Sequence, residues 1–203
     1  WMFLETAAAA VRENGIPNRN VVRIVLVTAS ILTVPLIAMQ FTDEVVWDLT
    51  DFAVAGGLLL GAGLTFERVA RIGGTGAYRA AVGVAVATGL LLVWMNLAVG
   101  IIGNEENPAN LMFGGVLAVA SIGALVARFQ PHRMARAMYA TAAAQMAVGM
   151  IAWIAGLGFT LILNGSFAAL WLGSGLLFRR AALSSPELDR VIAAWSTLPE
   201  DAR

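Results

Sequence analysis

The chain has 203 residues, of which 59% are hydrophobic and 13% charged, and its formal net charge is zero. Soluble domains carry about 25% charged residues, so this deficit and a mean hydropathy of +0.78 exclude an ordinary water-soluble domain and mark a polytopic membrane protein. Cys and Lys are absent and His132 is the single histidine, which removes thiolate chemistry, a lysine Schiff base, a bis-His haem within one chain and a His-rich metal site.

Backbone polar groups in hydrocarbon must bond internally, so apolar runs near 20 residues without strict alternation are read as helices. Ahead of them, Phe3, Leu4, Ala7, Ala8 and Val11 fall at helical spacing and Gly15 and Pro17 end the pattern. This predicts a short amphipathic helix on the membrane surface over 1–20. The first span is expected over 21–40, with Arg23 near its start and Pro35 deep inside as a source of a kink. An acidic turn with Trp47 follows. The second span is expected over 51–66, where Gly57 and Gly61 have the spacing that lets membrane helices approach.

The third span is expected over 79–102, carrying Trp94 and Asn96 toward its end, and the fourth over 110–127 with Asn110 as its N-cap. A basic turn over 129–133 leads to a fifth span over 136–157, with Gln145 at mid-depth. The sixth span starts at 159 or 164 and ends at 178, before Arg179 and Arg180. Ser184 and Glu187 form a capping box for a second surface helix over 184–203, with Leu188, Val191, Ile192 and Trp195 on one face. The expected fold is therefore all-α: one membrane domain over 1–203, whose six-span bundle covers 21–180.

Arginines fix the expected orientation. Arg12, Arg19 and Arg23 precede span one, Arg68, Arg71 and Arg79 bracket the second connection, Arg128, Arg133 and Arg136 the fourth, and Arg179 and Arg180 follow span six. The first and third connections hold acids instead. By the positive-inside rule every basic cluster is cytoplasmic and both termini lie inside. Arg23, Arg79 and Arg136 also open the odd spans at near-equal intervals, which suggests three hairpins in a pseudo-threefold repeat. Six spans joined by short turns give similar spacing, so both readings stay open.

The run 94–114 contains Asn96-Leu97-Ala98-Val99-Gly100-Ile101-Ile102-Gly103 and Asn107-Pro108-Ala109-Asn110. It resembles an uncharacterised family of multi-pass inner-membrane proteins of Gram-negative bacteria, over spans two to four. The resemblance implies a bacterial inner-membrane location and a helical fold. That family has no assigned activity, so the resemblance implies no functional residue.

Two groups of residues are candidates for function. Gln40, Asn96, Gln145 and Trp153 form a candidate polar site. Amides in hydrocarbon require partners, either along a solute path or in interhelical hydrogen bonds contributing about 0.6–2 kcal/mol. Asp43, Glu44, Asp48, Asp51, Glu105 and Glu106 form a candidate outer acidic rim, able to collect cations or to cap helices. Their spacing matches no calcium loop. No catalytic residue, cofactor, metal or nucleic-acid partner is expected. The favoured function is a non-enzymatic module that binds membrane lipids, another membrane protein or a second copy of itself. The alternative is a small transporter or channel for a small solute or cation, through a path near Asn96 and Gln145. A membrane enzyme ranks last, because the spans hold no paired carboxylates or histidine.

Overall fold

A computed structural model gives the fold over residues 19–157 and 160–184. Within these residues the chain is helical and contains no strand. Six helices are long and apolar enough to cross a membrane: α1 (Arg19–Ala38), α2 (Leu49–Ala70), α3 (Gly76–Ala98), α4 (Met112–Val126, preceded by a 3-10 turn over Pro108–Leu111), α5 (Pro131–Ile154) and α6 (Leu161–Leu183). The chain is a multi-pass membrane protein of all-α class. The surface helices expected over 1–20 and 184–203 lie outside the described residues, except that Arg19 and Asn20 open α1 and Ser184 closes α6. There the Ser184 amide and hydroxyl both donate to the Arg180 carbonyl, so this residue ends one helix.

The chain divides into two compact units, Trp1–Glu67 and Arg68–Arg203. In the first, α1 and α2 form an antiparallel pair. The Asn20 amide donates to the Glu67 carboxylate, and Ile24 and Leu32 lie over Gly63 and Gly56. A Cβ at Gly63 would stand 2.6 Å from Ile24 Cγ2, whereas Gly57 and Gly61 face open space. The close approach thus uses glycines seven residues apart on one face, and the Gly57–Gly61 pair expected from sequence lies on another. Pro35 sits inside an unbroken α1. Only 6% of the most apolar stretch of α1 is buried, and Val25, Leu26, Val34 and Ile37 are exposed. A surface this apolar requires hydrocarbon around it.

In the second unit α6 packs against both α3 and α5, and α4 packs against α5. The chief partner of α3 is therefore α6 rather than its sequence neighbour α4. Contacts along the helices show that α3 and α6 are antiparallel. Tyr78 at the start of α3 meets Phe178 near the end of α6 edge to face, with ring centroids 5.2 Å apart, and the Ser174 hydroxyl donates to the Ala81 carbonyl at 2.9 Å. At the other end Leu92, Ile102, Phe113, Val116, Val148, Ala152 and Phe167 close one apolar cluster drawn from all four helices and the α3–α4 loop. With lipid as apolar as the core, such packing stabilises by van der Waals contact rather than by water release.

Helix ends follow local chemistry. Thr75 caps α3 by accepting from the Tyr78 amide. The α3 helix stops at Ala98, because Gly100 takes a left-handed φ of 69° and both Val99 and Gly100 amides return to the Met95 carbonyl. Ile101 and Ile102, expected inside span three, are loop residues. Gly156, with φ 67°, ends α5 in the same manner. Pro131 opens α5, where its missing N–H has no helical role, so the last three residues of the expected basic turn, 131–133, are already helix.

Candidate functional site

The buried polar centre of the second unit is built on α5 and α6. Gln145 and Asn164 are each 0% exposed. Gln145 Nε2 donates to Asn164 Oδ1 at 2.9 Å, and Asn164 Nδ2 donates to the Thr160 carbonyl at 2.9 Å and to its Oγ1 at 3.1 Å. The approach depends on Gly149, one turn beyond Gln145: a Cβ there would stand 2.8 Å from Asn164 Cβ. Gln145 Oε1 remains without a hydrogen-bond partner. Neither amide ionises, so the chain Gln145–Asn164–Thr160 carries no proton and no charge. What it does is fix the register of two helices, because sliding either by a turn strands a polar group in an apolar interior.

The other expected members of the polar site lie elsewhere. Asn96 is half-buried, and its Nδ2 donates to the Leu92 carbonyl one turn back at 2.7 Å, while its Oδ1 is buried without a partner. Gln40 is exposed in the first unit, and Trp153 is 53% exposed. The hydrogen bonds of Asn96 and Gln145 therefore do not join them. The indole Nε1 of Trp171, which is 2% exposed on α6, is a third buried polar atom without a partner. Asn164, absent from the expected site, is its central residue. Its signal in the sequence is that two amides stand on consecutive, otherwise apolar spans; reading it as a helix start concealed the pairing.

All six residues of the expected acidic rim are exposed. Asp48 and Asp51 cap a helix start. Asp48 Oδ1 accepts from the Thr50 and Asp51 amides at 2.7 and 3.0 Å, and Asp51 Oδ2 accepts from the Asp48 amide at 2.9 Å. This reciprocal box closes the start of α2. The backbone hydrogen bonds from Asp51 and Thr50 hold the Asp48 carboxyl below its ordinary value of 3.8. Glu105 and Glu106 project from the α3–α4 loop. Among the described residues, no group of three or more histidines or carboxylates is arranged to hold a metal ion.

That loop is organised from below by Asn110. Its Oδ1 accepts from the Ile101 and Ile102 amides at 3.1 and 2.9 Å, and its Nδ2 donates to the Ile102 and Asn104 carbonyls at 3.2 and 2.7 Å. Sequence placed Asn110 as a helix N-cap. Asn107 takes that role for the 3-10 turn, accepting from the Ala109 amide at 3.0 Å. Asn110 instead satisfies the backbone of a segment that turns inward. Ile101 and Ile102 can then enter the apolar cluster with their peptide groups paired, and the loop plugs this end of the four-helix unit.

At the opposite end Arg79, Arg128, Arg133, Arg136, Arg179 and Arg180 are all exposed. The α4–α5 turn passes through two left-handed non-glycine residues, Arg128 (φ 48°) and Phe129 (φ 57°). Such conformations are strained by about 1–2 kcal/mol each, and the Tyr78 hydroxyl holds the turn by donating to the Phe129 carbonyl at 2.9 Å. No protein family, curated protein or solved structure matches the chain.

Proposed function

We propose that the chain is a non-enzymatic integral membrane module whose interior is scaffold and whose working surface is its membrane-facing exterior, where it binds lipid or a partner helix. One observation carries this reading. The amide at mid-depth, Gln145, is fully buried and bonded to Asn164, with an apolar cluster and a plugged loop between it and the acidic-turn end. Polar groups that pair with each other inside a packed core hold helices together; groups that pass a solute face a hydrated path.

The arginines gathered at one end of the second unit, with Glu105 and Glu106 at the other, support a placement with the arginine end in the cytoplasm of a bacterial inner membrane. A second reading, a small transporter or channel near Asn96 and Gln145, draws on one fact: each leaves a carbonyl oxygen without a partner.

Proteoliposomes decide between the two. Passive and gradient-driven flux of small neutral solutes and monovalent cations is measured for the native chain and for Asn96→Leu and Gln145→Leu. The scaffold reading expects native flux equal to that of empty vesicles. Flux above that level, abolished by either substitution, establishes the transport reading instead.

A further inference from the structure

A groove of about 660 Å³ runs along the outer face of α6 beside α3 at the arginine end. Its floor and walls are apolar: Val84 of α3, and Leu170, Gly173 and Leu177 of α6. Arg179 and Arg180 stand at its mouth. The α6 residues follow one another at intervals of three and four, so they form a single stripe of the helix. Gly173 leaves the trough open, since a Cβ there would meet no atom within 4 Å.

Two magnitudes identify the occupant. From Leu170 to Arg180 the helix advances about 15 Å at 1.5 Å per residue. That is the depth of one leaflet of a hydrocarbon core about 30 Å thick. The groove thus spans one acyl chain from headgroup level to the midplane. At headgroup level Arg179 and Arg180, consecutive on the helix and both exposed, each line the groove. Guanidinium forks match phosphate oxygens in pairs.

We infer that this groove is a specific site for an anionic phospholipid, with one acyl chain along Val84, Leu170, Gly173 and Leu177 and the headgroup phosphate held by Arg179 and Arg180. The site deepens the reading above, because it makes part of the exterior a lipid-selective surface. A zwitterionic phospholipid offers the same chain but brings its own cation against the two arginines, so the pair selects net negative charge.

Native mass spectrometry of the full chain released from nanodiscs of equal parts phosphatidylglycerol and phosphatidylcholine tests the assignment. The native chain should retain phosphatidylglycerol in preference to phosphatidylcholine. Arg179→Gln with Arg180→Gln should lower that preference by about tenfold or more. Gly173→Leu fills the trough at a position with free space and should reduce retention of both lipids, while Gly57→Leu in the other unit serves as the folded control. Retention and preference unchanged in both variants overturn the site. So does a second copy of the chain in place of lipid, seen as a dimer that Gly173→Leu dissociates. Selective retention together with solute flux in the proteoliposomes would keep the lipid site and overturn the scaffold reading, so the two fail separately.

Discussion

Replacing Asn164 by Leu conserves side-chain shape and removes the acceptor for Gln145 Nε2. The Gln145 amide, already lacking a partner at Oε1 and 0% exposed, then has none at either end. The lost interhelical bond contributes about 0.6–2 kcal/mol, and leaving a buried donor unsatisfied adds about 1–3 kcal/mol. Asn164→Leu should therefore destabilise by roughly 2–4 kcal/mol. Gln145→Leu should cost less, because Asn164 keeps its two bonds to Thr160. The double variant replaces both partners by apolar groups and should lie within about 1 kcal/mol of the native chain. The cycle thus predicts a coupling of at least about 1 kcal/mol. Reversible unfolding in mixed micelles, followed by tryptophan fluorescence, gives the four stabilities. Additive single effects below about 0.5 kcal/mol would refute the argument, since they would mean that water already solvates both amides and that the centre is a hydrated path.

Further outcomes follow from the same geometry. Gly149→Ala drives a Cβ against Asn164 Cβ at 2.8 Å and should destabilise by about 1–3 kcal/mol, whereas Gly57→Ala, in open space, should be neutral or stabilise by up to about 0.8 kcal/mol; thermal unfolding in detergent compares them. Asn110→Ala removes four hydrogen bonds from the α3–α4 loop and should raise hydrogen exchange at the Ile101 and Ile102 amides at least tenfold, with helix content unchanged. The folded-state pKa of Asp48 lies below its ordinary value of 3.8, so its capping contribution is complete above that value and is lost as pH falls through the lower folded-state value. Protection of the Thr50 and Asp51 amides should fall on acidification in that window. Asp48→Ala should lower protection above that window to the level the native chain shows in acid and abolish the step; an unchanged step would assign it to another group.

The length of the spans, their helical state and the clustering of arginine at alternate turns were legible in the chain, because a bilayer leaves an apolar run near 20 residues few alternatives. Caps were legible only roughly: Asp51 was visible as an acid at the start of α2, but the carboxylate that accepts the first amides belongs to Asp48, three residues earlier. The polar site was legible only in part. Gln145 was visible as an amide in hydrocarbon, but its partner depends on which helix faces it, and Asn164 lies 19 residues away across a turn. Glycine spacing left the α1 contact open for the same reason. Periodicity names a face without saying which neighbour covers it, and Gly56 and Gly63 rather than Gly57 and Gly61 meet α1.

The sequence by itself therefore determined the solvent of this protein, its number of spans and the polarity of its turns, all consequences of the transfer energies of single residues. Tertiary structure alone decided that α3 lies along α6, that Asn110 turns Ile101 and Ile102 inward, and that Arg179 and Arg180 stand over an apolar groove. Those are pairings between residues distant in the chain, and they are set by shape and by mutual satisfaction of buried polar groups, which no single position encodes.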